Sequence, residues 1–326
     1  MSHTTPHERM TKAKLEDRLD ELRQLRSATP NGEVLSVLRK ALRDRANLVV
    51  AEAAKVIAGL HLSNLIPDLL QAYDRLFEDP VKKDSKCWGK TAIIKALSEL
   101  QYTDSPPFLR GSRHIQNEPV WGGQEDAAIH LRGACFLALV QCEDLTRIEI
   151  FRHLVDAMAD AADPVRLEAV RAVAQMNGDE ASLLLRLKAR IGDRRPVVIG
   201  HVFDALLILE SETAIAFVAQ HLEADAPEIR DEAALALGGS RLPKAVDALI
   251  ETWKKTANQE FRTVLLRALS SSRHQSAIDF LLNLVRTGMT RDATSALEAL
   301  KLHGDSPEIQ SRIEQAKKQR SQRESL

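Results

Sequence analysis

A chain of 326 residues that is 44% apolar, 28% charged and 4% aromatic holds enough apolar content to bury an interior, which excludes the low-hydrophobicity signature of disorder. Scarce aromatics, 14 Gly and 12 Pro, set against recurrent Ala, Leu, Arg and Glu, favour helix over strand and predict an all-α fold. The formal net charge of −1 gives no global attraction to phosphate backbones, and three cysteines without a CxxC pair suggest neither a zinc site nor a disulfide framework.

The first ten residues are polar, and no later run approaches the roughly 20 apolar residues that a membrane-spanning helix needs. The expectation is a chain without a membrane segment, suited to a reducing cytoplasm. Residues 11–27 then place Leu15, Leu19, Leu22 and Leu25 among charges, the pattern of one amphipathic helix. A single run of this length is too little for a stable coiled coil, so 1–30 reads as a tail and a helix that caps the first repeat.

From there to residue 304, Ala-Leu or Ala-Val pairs recur near the ends of helical patterns: Ala96-Leu97, Ala138-Leu139, Ala172-Val173, Ala205-Leu206, Ala236-Leu237, Ala268-Leu269 and Ala299-Leu300. The later intervals are 34, 33, 31, 32 and 31 residues, a period tight enough to identify a repeat. Six positions before the Ala stand Lys90, Arg132, Arg166, Arg230 and Arg262, with Ile199 and Ala293 as exceptions. Six residues turn a helix by about 600°, so the base and the small Ala lie on opposite sides. The Ala permits close helix approach, and the base is expected to join a charge ladder between repeats.

Each unit reads as two amphipathic helices. Asp163-Pro164, Arg195-Pro196 and Ala226-Pro227 place Pro at the first position of second helices, where its missing N–H costs nothing. Val165, Ala169, Ala172 and Val173, like Ile229, Ala233, Ala236 and Leu237, then form one apolar stripe. One helix pair cannot bury that stripe alone, which predicts stacking. The run Asp-Pro-Val-Arg-x-Glu-Ala-x-x-Ala-Val at 163–173, with Pro-Glu-Ile-Arg-Asp-Glu-Ala-Ala-Leu-Ala-Leu at 227–237, resembles the short HEAT-like repeats of phycobilisome-lyase-type proteins and many bacterial scaffolds. The resemblance covers about residues 32–302 and implies an all-α solenoid of about eight HEAT-like hairpins in an armadillo-like superhelix. Residues 305–326 add a final helix and a basic tail with Lys317, Lys318, Arg320 and Arg323, expected to fray into solvent.

The period breaks between Ala96 and Ala138, an interval of 42 residues. The insert at 103–126 carries Pro106-Pro107, Gly122-Gly123 and Trp121, and insertions of this kind in repeat proteins map to loops on one face, often the binding face. If it folds back over the Cys87-Trp88-Gly89-Lys90 stretch, Trp88, Lys90, Arg110, Arg113, His114, Glu118, Trp121, Asp126 and Arg132 form one candidate binding neighbourhood. The structural alternative has Trp121 plugging the gap and Arg113 pairing with Glu118. The Trp-Gly-Lys-Thr-Ala stretch, the 108–123 segment and Leu131-Arg132-Gly133 together resemble a recurring group of bacterial HEAT-repeat proteins, a resemblance that implies no reaction.

Catalytic motifs do not assemble. The His-Glu dyads on which HEAT-like deoxyhypusine hydroxylases depend appear once, as His7-Glu8, and the remaining histidines are dispersed, so no metal or other cofactor is expected. Resemblance to HEAT-like alkylpurine glycosylases would use Trp88 and Trp121 to stack a base and Asp126 to stabilise a sugar cation, but aromatics are few and the chain is not basic. A bilin lyase would need more than the generic repeat, and Cys87, Cys135 and Cys142 sit on apolar helical patterns. No GxGxxG, Walker A or Gly-x-Ser-x-Gly run occurs. The reading is a non-enzymatic scaffold that holds a protein or peptide partner on its concave face and the 103–126 insert; a nucleic-acid binder, including base excision, is the alternative.

Overall fold

The computed structural model describes residues 6–324. Among them are nineteen α-helices and a single two-stranded sheet. No helix among the described residues is long and apolar enough to cross a membrane. The chain divides into two compact units, 1–172 and 173–326.

The first unit opens with α1 (Pro6–Gln24), followed by α2 (Gly32–Leu42) with α3 (Asn47–Gly59), and by α4 (Ile66–Arg75), the single turn α5 (Pro80–Lys83) and α6 (Trp88–Glu99). The third hairpin is α7 (Pro106–Ser112), strands β1 (Asn117–Val120) and β2 (Gly123–Asp126), and α8 (Ile129–Leu139); the fourth is α9 (Arg147–Met158) with α10 (Asp163–Met176). The second unit stacks α11 (Gly178–Ile191) with α12 (Pro196–Glu210), α13 (Glu212–Ala219) with α14 (Pro227–Gly239), α15 (Pro243–Lys255) with α16 (Gln259–Ser272), and α17 (Gln275–Thr287) with α18 (Thr290–Leu300), ending on α19 (Pro307–Glu324). Eight helical hairpins result, four beginning in each unit.

Second helices pack on second helices: α3 on α6, α6 on α8, then α12 on α14, α14 on α16 and α16 on α18. The recurring Ala residues make this possible, since all seven are buried. Approach is close just beyond Ala236. A Cβ on Gly238 would collide with the backbone carbonyl of Ala268 on the next second helix, so the smallest residue stands where two backbones meet.

Helix starts follow local chemistry. Asn31 and Asn258 accept from Val34 and Phe261 N–H at 2.9 Å, Thr146 and Glu149 form a capping box on α9, and Pro196 and Pro227 occupy first helical positions. The expected charge ladder holds at two rungs, where Arg132 reaches Asp160 in the next hairpin and Arg262 lies 3.5 Å from Asp292 of α18, while Arg230 lies 5.3 Å from the Phe261 ring centroid instead. Arg166 donates to the carbonyls of Asp160 and Ala161 just before its own helix.

Both ends are closed by helices. α1 packs on α3 with Leu22 buried and Leu15, Leu19 and Leu25 half-buried. α19 packs on α17 through buried Ile313 and Ala316. The basic tail does not fray at residue 317 as its composition predicts: α19 runs to Glu324, because Arg320 donates to the carbonyls of Val285 and Gly288 at 3.3 and 2.8 Å. Those carbonyls lie at the C-terminal end of α17, where a cation is favoured.

Candidate functional site

The segment Asp84-Ser85-Lys86-Cys87 turns sharply into α6, with Lys86 and Cys87 both left-handed at φ 59° and 52°. Neither is Gly, so each such residue costs about 1–3 kcal/mol and persists only where its surroundings over-determine it. Asp84 does much of this. Fully buried, it accepts from the N–H groups of Gly89 and Lys90 at 2.7 and 2.9 Å, capping α6, and from Asn47 Nδ2 at 3.0 Å. Lys90, the ladder base of this repeat, is also fully buried and turns its Nζ to Asp84 at 3.1 Å, Gln116 Oε1 at 3.0 Å and the Leu76 carbonyl at 3.3 Å.

The insert supplies the rest of the constraint. Gln116 Oε1 accepts from Lys90 and, at 3.2 Å, from Cys87 Sγ, and lies 3.1 Å from His114 Nε2; its Nε2 donates to the Asp84 carbonyl and to Glu118. Glu118 accepts from the Lys86 N–H at 2.6 Å and the Ser85 hydroxyl at 2.9 Å. A second knot stands beside the first at the base of the hairpin, on its other strand. Asp126 accepts from the N–H groups of Gln116 and Ala128 and from Arg132, whose Nε and Nη2 engage both oxygens of Asp160 at 3.0 and 3.1 Å. The insert is therefore tied to α6 at one end and to α8 and the α9–α10 loop at the other.

From the knots outward, Asn117–Val120 pairs antiparallel with Gly123–Asp126. The two-residue turn is Trp121-Gly122, with Gly122 at φ 89°, a region that Gly enters without a Cβ penalty. The expected loop or extra helical turn is thus a short helix plus a β-hairpin.

The nine residues proposed from sequence fall into separate groups. Lys90, His114, Glu118, Asp126 and Arg132 join the polar lock formed by these two knots. Trp121 does not plug a gap: it is fully exposed at the hairpin tip. Glu118 does not pair with Arg113, which is exposed just beyond α7. Arg110 stacks 3.9 Å from the Phe77 ring centroid and bonds Asp74 at 2.6 Å. Trp88 stands at the start of α6, 47% exposed, with Lys86 Nζ 5.4 Å from its ring centroid.

Trp88 faces a groove of about 770 Å³ bounded by α1, α3, α6, α8 and the hairpin. Its floor follows helical spacing: Leu48, Ala51, Glu52 and Lys55 of α3 stand beside Trp88, Thr91, Ala92 and Lys95 of α6. An adjoining cavity of about 430 Å³ shares Lys95, Ile129 and His130 and continues the same positions as His130, Gly133, Ala134 and Leu137 of α8, then Pro164, Leu167, Glu168 and Arg171 of α10. Pro119 and Val120 of the hairpin line one wall. Asp84, Gln116 and Asp160, which hold this wall in place, are not among the residues that the sequence pattern singles out. Asp84 carries a usable signal, an acid just before a helix start, whereas a neutral Gln inside an insert carries none.

Titration reflects the lock. Burial opposes ionisation of Asp126, but hydrogen bonds from the Ala128 and Gln116 N–H groups and from Arg132 more than offset it and hold its carboxyl below the ordinary 3.8. Glu118 is likewise held below 4.5, with bonds from Gln116, Lys86 and Ser85 overcoming burial. Burial lowers His114 below 6.5. Depressed folded values make each contribution present above the group's ordinary value and lost as pH falls, so acidification through 6.5 and then below 4.5 and 3.8 is expected to loosen the hairpin. Thermal midpoints measured by circular dichroism from pH 7.5 to 3.5 check this, with an Asp126→Asn variant showing a weaker dependence at the acid end. The three cysteines are buried, and burial pushes Cys87 and Cys142 up to about 12, far from thiolate chemistry at neutral pH. Among the described residues, no group of three or more His, Cys, Asp or Glu is arranged to hold a metal ion.

Residues 215–301, spanning most of α13 through α18, match the family model for HEAT repeats. These residues are HEAT repeats. The later hairpins of the first unit share their design, with paired helices and buried Ala96, Ala138 and Ala172 at the same step of the second helix, where α3 carries buried Val56. No curated protein matches the sequence. Among solved structures, human deoxyhypusine hydroxylase in complex with glycerol is similar at 20% identity and a TM-score of 0.32, over 80% of this chain and 91% of that one. An engineered protein is similar at 14% identity and a TM-score of 0.35, over 94% of this chain and 95% of that one.

Proposed function

We propose that this chain is a non-enzymatic cytoplasmic HEAT-repeat scaffold that holds an extended segment of a protein partner in the groove of its first unit. The observation that carries this reading is the continuity of the groove, lined by the same four helical positions on successive second helices and walled by a hairpin whose two strands are locked at the base. Neighbouring helices lie about 8–10 Å apart, so each repeat step matches about three residues of extended chain. A wall fixed before binding lowers the ordering cost that weak peptide sites bear.

The lining also favours a chemistry. Trp88, Pro119, Val120 and Ile129 offer apolar anchorage. Lys55, Lys86 and Lys95 are exposed, while Glu52, Glu118 and Asp126 are bonded to groups of the protein itself and Glu125 is the one exposed acid of this lining. A segment of apolar and acidic side chains is the complement. The buried, free thiols suit a reducing compartment. The test places a photo-crosslinking residue at position 120, on the groove wall, and identifies what it captures, then compares affinity for that partner in Trp88→Ala. A loss of about 30-fold with an unchanged thermal midpoint is expected; equal affinity overturns the reading. Lys55, Lys95 and Arg171 are also the observation that favours a nucleic-acid backbone, and retention on DNA that falls steeply with salt would support that alternative instead.

A further inference from the structure

In the second unit, α11 packs on α12 through its buried Ala181, Leu185, Lys188 and Ala189. Its opposite side is not polar, as a solvent-facing helix side ordinarily is. Leu183, Leu187 and Ile191 are 67%, 56% and 70% exposed, and their spacing of four keeps them on one face. Three large aliphatics in a row on one exposed helix face mark an interaction surface more than the chance exposure of single residues does.

The stripe is symmetric about Leu187, with Leu183 four residues before it and Ile191 four residues after. Charge is arranged antisymmetrically around the same centre: exposed Asp179 and Glu180 at one end, exposed Arg190, Arg194 and Arg195 at the other. We propose that α11 is a self-association surface that pairs antiparallel with α11 of a second copy, about a two-fold axis at Leu187. In that arrangement Leu183 meets the partner's Ile191, Leu187 meets the partner's Leu187, and the acidic end of each helix meets the basic end of the other. A parallel pairing would set like charge against like at both ends. Self-complementarity of this kind is what an isologous contact requires. One helix of 14 residues covers less than the roughly 800 Å² per partner of a standard interface, so the dimer is weak and concentration-dependent.

Cysteine pairs test the axis, and the native cysteines are buried and do not interfere. Leu187→Cys is expected to form an interchain disulfide on mild oxidation. Leu183→Cys alone is not, because the two copies of position 183 lie about 12 Å apart along the paired helices, beyond disulfide reach. Mixing Leu183→Cys with Ile191→Cys restores cross-linking between the two variants. In sedimentation velocity the unmodified chain approaches twice its 36.2 kDa mass as concentration rises, and Leu187→Glu raises the dissociation constant at least about tenfold without shifting the thermal midpoint. A chain that stays monomeric up to about 1 mM, or Leu183→Cys cross-linking as readily as Leu187→Cys, overturns the proposal.

Discussion

An Asp84→Ala variant is expected to lose about 3–5 kcal/mol of stability, the usual consequence of leaving a buried charge without its partner. Lys90 would keep the Gln116 and Leu76 oxygens but no counter-charge, the Gly89 and Lys90 N–H groups would lose their cap, and the left-handed turn at 86–87 would lose the residue that anchors it. Lys90→Met reverses the imbalance by stranding the carboxylate among backbone donors and Asn47. The double variant Asp84→Asn, Lys90→Met removes both charges and keeps similar volume, so it should cost less than Asp84→Asn and Lys90→Met added together, with a coupling of at least about 1 kcal/mol. Urea unfolding of the unmodified chain, these two single variants and the double, followed by circular dichroism, measures that cycle. Simple additivity would show that the pair is not an interacting unit.

The second large effect is local. Arg132→Met leaves the carboxylates of Asp126 and Asp160 without the guanidinium that joins them, and both are partly solvated, so the expected loss is about 2–4 kcal/mol. It should appear as opening of the hairpin more than as global unfolding. Hydrogen exchange of the Gln116 and Ala128 amides, both of which donate to Asp126, is expected to accelerate by about 30-fold or more, while amides inside α3 keep their protection. Unaltered exchange over 116–128 would mean that the lock on α6 holds the hairpin alone.

The two variants separate two roles that one stretch of sequence carries together. Asp84, Lys90, Gln116 and Glu118 shape the start of α6 and so aim Trp88 into the groove, whereas Arg132, Asp126 and Asp160 fix the base of the wall's second strand. Neither set offers a free catalytic group. Asp126, the carboxylate that a base-excision reading would use, has both oxygens engaged by the protein. Trp88 and Trp121, both candidate stacking surfaces, differ in setting: one lines the groove and the other stands clear at the hairpin tip.

How much of the fold and the site is legible in the sequence depends on the range of the interactions involved. The Ala ladder from Ala96 to Ala299 marks closely packed second helices because helical spacing and side-chain size act within a few residues. Pro196 and Pro227 mark helix starts for an equally local reason. The broken period locates the insert but does not disclose its hairpin: Pro119 inside a strand and a Trp-Gly turn give no alternating apolar pattern, and the hairpin is held by polar bonds to residues about 30 positions away. The same distance hides Asp84 and Asp160, whose importance lies in partners contributed by the neighbouring repeats.

The amino-acid sequence alone determined that this protein is built of repeated helical hairpins, where the second helices from Ala96 onward lie, and which hairpin departs from the pattern, because these depend on periodicity, size and backbone preference along one stretch of chain. Only the tertiary structure decided that Lys90 turns inward to Asp84 while Arg132 reaches Asp160, that the insert is a locked hairpin, and that Trp88 lines a groove while α11 leaves three aliphatic residues uncovered. Burial and ion pairing between distant segments are settled when helices stack, since the cost of a charge or an exposed side chain depends on what the next repeat places beside it.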